Sequence, residues 1–333
     1  MENDFLESKT QSAWNRRQFL KLGIAGLGVT GAAIAYQTLK PQKSIPARIP
    51  EVAPQDPADG ILSPMALLRD FDYGAVKSEK GRNIREFRIV ASNSTIKLNS
   101  AVDFNTWTFN NRVPGPTLRA TQGDRIRVVF LNQGGHSHSM HFHGVHPAEA
   151  DGVRPIRHGS AAIYEFDAEP FGVHLYHCHT DPVTRHIGKG LYGMLIIDPP
   201  KPRPPADEMV LIMAGYDTND DNKNEFYAFN GQPDYYRAHP ISIYQNQLVR
   251  LYVLNMIEFD VAATFHLHAN FFQVYRTGRT LTPSEDSDVI TMGTTERHIL
   301  EFAYKYPGKY MFHPHQDAIA QAGCMGLFDV IAT

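Results

Sequence analysis

The segment from His174 to Met194, H-L-Y-H-C-H-T-D-P-V-T-R-H-I-G-K-G-L-Y-G-M, sets Cys178, one of only two cysteines in the chain, between His177 and His179 and follows it with His186. A thiolate with two imidazole nitrogens is the donor set of a blue-type copper centre, so this cysteine reads as a metal ligand rather than half of a disulfide. On an extended strand, side chains alternate between faces. Cys178 would then face one way and both flanking histidines the other. One short segment could touch two metal sites, with the Cys–His peptide bonds as a covalent path for electrons between them. Taken alone, H-C-H reads more readily as a surface histidine cluster or a zinc site, so the rest of the chain has to decide.

The rest of the chain repeats the pattern. Thr108-Phe109-Asn110-Asn111 is echoed by Ala228-Phe229-Asn230-Gly231, and the run Arg125 to Asn132 by Leu248 to Asn255. His141-Phe142-His143 matches His266-Leu267-His268, and Gly172 to His179 matches Gly308 to His315 without a gap. The chain is an internal duplication. Each copy carries two H-x-H pairs, which together give eight imidazoles at matching points. Opposite Cys178 stands Pro314, and three residues before the middle pair His138 is matched by Ala263. The cysteine-containing site is therefore present in the first copy alone.

Strands must position these residues. Arg85 to Ala91, Arg125 to Leu131 and Leu191 to Ile197 are short β-branched or aromatic runs, punctuated by turn signals such as Pro114-Gly115-Pro116 and Gln122-Gly123-Asp124. Residues 61–198 and 206–333 read as two β domains, joined by the stiff proline-rich linker 199–205. Upstream, Asn15-Arg16-Arg17-Gln18-Phe19-Leu20-Lys21 precedes a Gly/Ala-rich apolar run ending at Ala35. Residues 1–36 thus resemble a twin-arginine export signal, too short and too weakly hydrophobic for a spanning helix, and 37–60 a mobile linker. That predicts a periplasmic or extracellular protein, cleaved or held by an uncleaved anchor. A net charge of −3 with 20% charged residues gives no argument for nucleic-acid or lipid binding.

In the order and spacing of its four histidine pairs and H-C-H, the chain from Ile61 to Thr333 resembles a two-domain multicopper oxidase, related to laccases and copper nitrite reductases. The resemblance implies an all-β fold of two tandem cupredoxin domains, Greek-key β-barrels or sandwiches. It implies four coppers per subunit: a type 1 ion on His138, Cys178 and His186; a type 2 ion on His141 and His266; and a type 3 pair on His143, His177, His179, His268, His313 and His315. Where many relatives place an axial Met, five residues past His186, this chain has Leu191, with Met194 the rival. A leucine cannot donate a lone pair, which would favour a higher potential. A small reducing substrate would dock near the type 1 ion, over an exposed His186, and dioxygen would become water at the trinuclear cluster. Asp151 and Asp317 are the candidate proton donors. Two-domain relatives are homotrimers with the cluster between subunits, so a homotrimer is implied here too.

The nearest rival is a copper nitrite reductase, which by resemblance would carry an aspartate where this chain has His141 and lack the second histidine of H-C-H. A non-catalytic copper-binding or electron-transfer protein would leave eight positioned histidines unexplained. His136, His146, His158, His174, His239 and His298 have no ligand role in this scheme and read as surface or hydrogen-bonding histidines, with His146 and His158 flanking a loop at a possible substrate entrance. Cys324 reads as a small buried apolar residue, and Tyr235 and Tyr236 as core. The electron donor is not specified by any motif.

Overall fold

The computed structural model describes residues 62–332; the signal segment 1–36 and linker 37–60 lie outside them. The chain enters through helix α1 (Pro64–Leu67), N-capped by Ser63, whose hydroxyl accepts from the Ala66 N–H at 3.3 Å. Ten strands follow: β1 (Phe71–Asp72), β2 (Ala75–Glu79), β3 (Arg82–Lys97), β4 (Asp103–Phe109), β5 (Thr117–Thr121), β6 (Arg125–Asn132), β7 (His141–Phe142), β8 (Ala161–Asp167), β9 (Gly172–His177) and, after helix α2 (Val183–Gly188), β10 (Tyr192–Asp198). They form two facing sheets, ordered β2-β3-β6-β8 with β4 on β3, and β1-β5-β10-β9-β7.

The second half runs β11 (Asp207–Tyr216), β12 (Phe226–Phe229), helix α3 (Tyr235–Ala238), β13 (Ile241–Tyr244), β14 (Val249–Asn255), β15 (Ala262–Leu267), β16 (Phe272–Arg276), β17 (Glu285–Ser287), β18 (Val289–Gly293), β19 (Arg297–Phe302), β20 (Gly308–His313), helix α4 (Asp317–Gln321) and β21 (Gly326–Ile331). Its sheets are β12-β11-β14-β19-β16-β17 and β13-β21-β20-β15-β18. The all-β expectation holds. The duplication is visible in register: His141 lies opposite His177 across β7 and β9, and His266 opposite His313 across β15 and β20.

The two copies differ where they meet. β6 alternates between buried and half-buried residues, as a strand with one face toward solvent should, whereas every residue of its counterpart β14 is buried. One face of β14 (Val249, Leu251, Val253) fills its own core. The other gives Tyr252 and Leu254 to a layer shared with Val173, Leu175, Met194 and Ile196 of the first sandwich. Each such large side chain contributes roughly 1.5–3 kcal/mol by leaving water. The sheet carrying β9 and β10 is therefore covered on both faces, and the segment carrying the metal donors has little freedom to move. Residues 64–68 contribute to the other copy: Leu68 lies in the second core, and the Val210 N–H donates to its carbonyl at 2.9 Å.

Charges inside the junction are paired. Arg119 on β5 bonds Asp198 and Glu208, and Arg250 on β14 bonds Glu208 and Glu301. Burial raises the Glu208 pKa, but bonds from Arg119, Tyr252 and Arg250 outweigh it and hold the carboxyl below its ordinary value. Replacing Glu301 with Ala leaves the Arg250 guanidinium, 3% exposed, with one carboxylate fewer. The expected loss is about 3 kcal/mol, at the lower end for a broken buried pair because Glu208 remains, measured by denaturant unfolding.

Candidate metal centres

The first centre forms where three crossing elements end. β6 stops at Asn132, whose buried amide donates to the carbonyls of His136 and Ile156 and whose oxygen accepts from the Gly134 N–H. The loop it pins brings His138 onto a two-way backbone bridge with Ile156. Cys178 follows β9, and His186 points inward from α2. Cys178 Sγ lies 3.1 Å from Nδ1 of His186 and 3.9 Å from Nδ1 of His138, and the two Nδ1 atoms are 3.2 Å apart. Burial, with help from the neighbouring imidazoles, depresses His138 to a pKa of about 3 and His186 to about 4, so at neutral pH both rings are uncharged lone-pair donors. Burial pushes the Cys178 thiol up, against a backbone N–H from Ser139 that reaches Sγ at 3.4 Å. One thiol and two neutral Nδ1 atoms converging in an apolar setting fit a blue-type copper ion.

Leu191 sits on the Cys178 face of the β9–β10 ladder and in the same core cluster, and its carbonyl accepts from the Cys178 N–H at 3.0 Å. Met194 points the other way, into the junction with the second sandwich. Of the two candidates, Leu191 is the one on the side of Cys178.

The alternation expected of H-C-H is present, and each sandwich carries a quartet of imidazoles on the far side. In the first, His143 and His177 face each other with Nε2 atoms 2.9 Å apart, and the His141 ring lies 4.7 Å from His179. In the second, His268 and His313 repeat the 2.9 Å Nε2 pair, with His266 and His315 at 5.2 Å. Tautomers are set alike in both copies. His177 Nδ1 donates to the carbonyl of Cys178 and His313 Nδ1 to that of Pro314, while His141 Nδ1 donates to Asp151 O and His266 Nδ1 to Asp288 O. Each such bond leaves Nε2 as a bare lone pair, the arrangement a metal-binding histidine needs. Among the described residues no imidazole of one quartet is in ring contact with the other. One chain thus presents two separate histidine quartets of matching geometry.

Asp151 is the keystone of the first quartet. Its carbonyl accepts from His141 at 2.9 Å and from His179 at 3.3 Å, and its carboxylate lies 3.1 Å from His141 Nδ1 and 3.4 Å from His146 Nε2. Gly152, at φ +79°, lets this loop press on the ligand strand: a Cβ there would lie 2.1 Å from the Met140 carbonyl oxygen. Gly152→Ala is expected to lift Asp151 off both imidazoles and weaken copper binding at this quartet about 10- to 100-fold, as loss of a ligand-orienting partner does, measured by copper titration.

Several sequence expectations need correction. His186 is buried, at 4% exposure, not open to a docked donor; the Trp107 indole covers it at 4.7 Å and also meets His138 at 5.3 Å. Asp317 opens α4 and accepts from the Gln321 side chain. Asp288 holds His266 instead. It lies 22 residues beyond its histidine whereas Asp151 lies 10 beyond His141, so spacing within the repeat could not reveal it. His146 belongs to the Asp151 cluster rather than to a substrate entrance, and His158 donates to the Gly134 carbonyl at 2.9 Å. Buried His174 bonds the carbonyl of His143 at 3.1 Å. Cys324 and Tyr236 lie in the second core.

Two family profiles, each described as multicopper oxidase, match residues 90–202 and 202–332. A solved structure described as a multicopper oxidase is 46% identical, with a TM-score of 0.80, covering 82% of this chain and 98% of that one. A copper-containing nitrite reductase of Neisseria meningitidis serogroup A is 26% identical over 66% of this chain and 62% of its own length. Laccase-3 of Arabidopsis thaliana is 28% identical over 61% of this chain and 41% of its own. The chain spans about 62% of the length of the nitrite reductases it matches.

Proposed function

The chain belongs to the multicopper oxidase family, a copper-binding family, and on that premise we propose a laccase-like oxidoreductase. It oxidises a small reducing substrate, phenolic or similar, one electron at a time, and reduces dioxygen to water. The observation that carries this reading is the joining of one Cys/His centre to a histidine quartet through a single strand end, with a second quartet in the other copy. Bound copper, about four ions per chain, would supply electron acceptance at Cys178, His138 and His186 and oxygen reduction at the quartets. His141 and His266 take the type 2 role, and His143, His177, His179, His268, His313 and His315 the type 3 role.

The protein's own part is to orient and exclude. Two covalent neighbours, His177 and His179, link Cys178 to the first quartet without a gap in the chain. Asp151 Oδ1, beside His141 and His146, holds the proton delivered to reduced oxygen. Leu191, beside Cys178, offers no lone pair, which would favour the cuprous state of a bound copper ion.

The two quartets call for a second chain. A head-to-tail homotrimer, in which the first sandwich of one subunit meets the second of the next, closes by rotation and completes each cluster. Apolar side chains near each quartet support this: Val153 beside Asp151 is 63% exposed, and Phe271, three residues past His268, 66%. The twin-arginine motif supports export to the periplasm or beyond.

The deciding measurement is copper per chain with the optical spectrum of the loaded protein. About four ions, an intense red thiolate band and a near-ultraviolet shoulder are expected; about two without the shoulder, the nitrite reductase pattern, or about one, an electron-transfer protein, overturns the reading.

A further inference from the structure

We propose that Trp107, capped by His136, is the electron-entry contact of the Cys178 centre, and that its donor is a small, uncharged, electron-rich aromatic molecule; this rests on the laccase-like reading above. His186 and His138 are 4% and 0% exposed, so a donor in solvent reaches neither ring directly. Among the described residues, Trp107 is the ring outside the donor set that meets both, at 4.7 and 5.3 Å. The exposed imidazole of His136 lies against the indole at 4.8 Å and 6.5 Å from the His138 ring. The shortest ring-to-ring steps from solvent to the two rings therefore run through His136 and Trp107, with the longer His136–His138 step beside them.

The contact is rigidly mounted. The Trp107 N–H donates to the Lys189 carbonyl at 2.7 Å, and the Thr106 hydroxyl bonds the same oxygen. Lys189 caps α2, the helix that carries His186, so indole and ligand are fixed to one another. The His136 carbonyl is held by the Asn132 amide at 2.8 Å.

The surroundings select the donor. Trp107 lies opposite Asn93 in the β3–β4 register, with exposed Asn105 two residues earlier on the same strand face. The neighbouring strand residues Asn93 and Asn105 are uncharged amides, and a π-face with an imidazole edge suits another aromatic ring. A rival entrance exists: a cleft of about 200 Å³ on the outer side of α2, lined by Arg185, Lys189, Asp217, Asp220 and Phe259. It meets the solvent face of that helix, away from inward-pointing His186, and its charged lining suits polar molecules. In the proposed step a phenol loses one electron and its hydroxyl proton goes to water. The electron crosses the indole, which ends unchanged, and would be taken up by the cupric ion that Cys178, His138 and His186 would hold.

The test is anaerobic bleaching of the thiolate band of the copper-loaded protein by a methoxyphenol. Trp107→Leu is expected to slow bleaching about 10-fold or more with the band and copper content intact, and Trp107→Phe to restore most of the rate. His136→Ala raises the half-saturating methoxyphenol concentration, while Phe259→Ala in the cleft does not. In copper-free protein, the same methoxyphenol shifts the ¹⁵N-indole resonance of Trp107, distinguished from Trp14 by Trp14→Phe. Wild-type bleaching in Trp107→Leu, or half-saturation that responds to Phe259 rather than His136, overturns the entry contact and leaves the oxidase reading standing. A wild-type band that no methoxyphenol bleaches overturns both.

Discussion

Two variants, each expected to be inactive alone, are expected to regain oxygen reduction when their chains are mixed during reassembly: His143→Ala, damaged in the first quartet, and His268→Ala, damaged in the second. These residues hold equivalent places, each with Nε2 2.9 Å from its partner histidine. In a head-to-tail ring an intact cluster needs the first sandwich from the His268→Ala chain and the second from its His143→Ala neighbour. Random mixing in equal amounts makes about a quarter of the interfaces intact. Oxygen uptake of the mixture should approach that fraction of wild type. If both quartets of a cluster came from one chain, every cluster would lack a ligand and the mixture would stay dead. The outcome therefore separates an intersubunit cluster from an intrachain one with no knowledge of the physiological donor.

Cys178→Ser is expected to abolish the red absorption, lower bound copper by about one ion per chain, and reduce donor oxidation to background, because a serine hydroxyl is a poor ligand for a soft ion. Oxygen uptake by the chemically reduced quartets should survive, since their imidazoles are untouched. The fold should tolerate the change. Serine is close to cysteine in volume, and the Ser139 N–H that now meets Sγ can meet the new oxygen, which limits the cost to about 1 kcal/mol. Cys324→Ser is the control. Cys324 is as fully buried as Cys178, both at 0% exposure, but is packed in the second core away from any imidazole. Its substitution should cost similar stability and leave copper content and spectrum unchanged. A red band persisting in Cys178→Ser would remove this cysteine from the centre.

Much of the metal chemistry was legible because it is written at short range or twice. H-C-H fixes the opposite aim of Cys178 and His177 through the period of a strand, and the gapless match of 172–179 to 308–315 identifies both quartets in one reading. Leu191 and Met194 could not be separated by counting from His186. The face of the β9–β10 ladder separates them: Leu191 shares the core with Cys178, and Met194 belongs to the junction.

The amino-acid sequence by itself determined the β class, the duplication, the single cysteine centre and the histidines of both quartets, since strand periodicity and repeat spacing are local properties of the chain. Tertiary structure alone decided what surrounds them. Trp107 reaches His186 from 79 residues away, Asp288 reaches His266 across 22 and Asp151 reaches His179 across 28. Such contacts arise where separate strands and loops of a sandwich end side by side, and no periodicity in the sequence marks which ends will meet. The burial of His186 has the same origin: its helix supplies the ligand, and a strand from elsewhere in the sandwich supplies the indole that covers it.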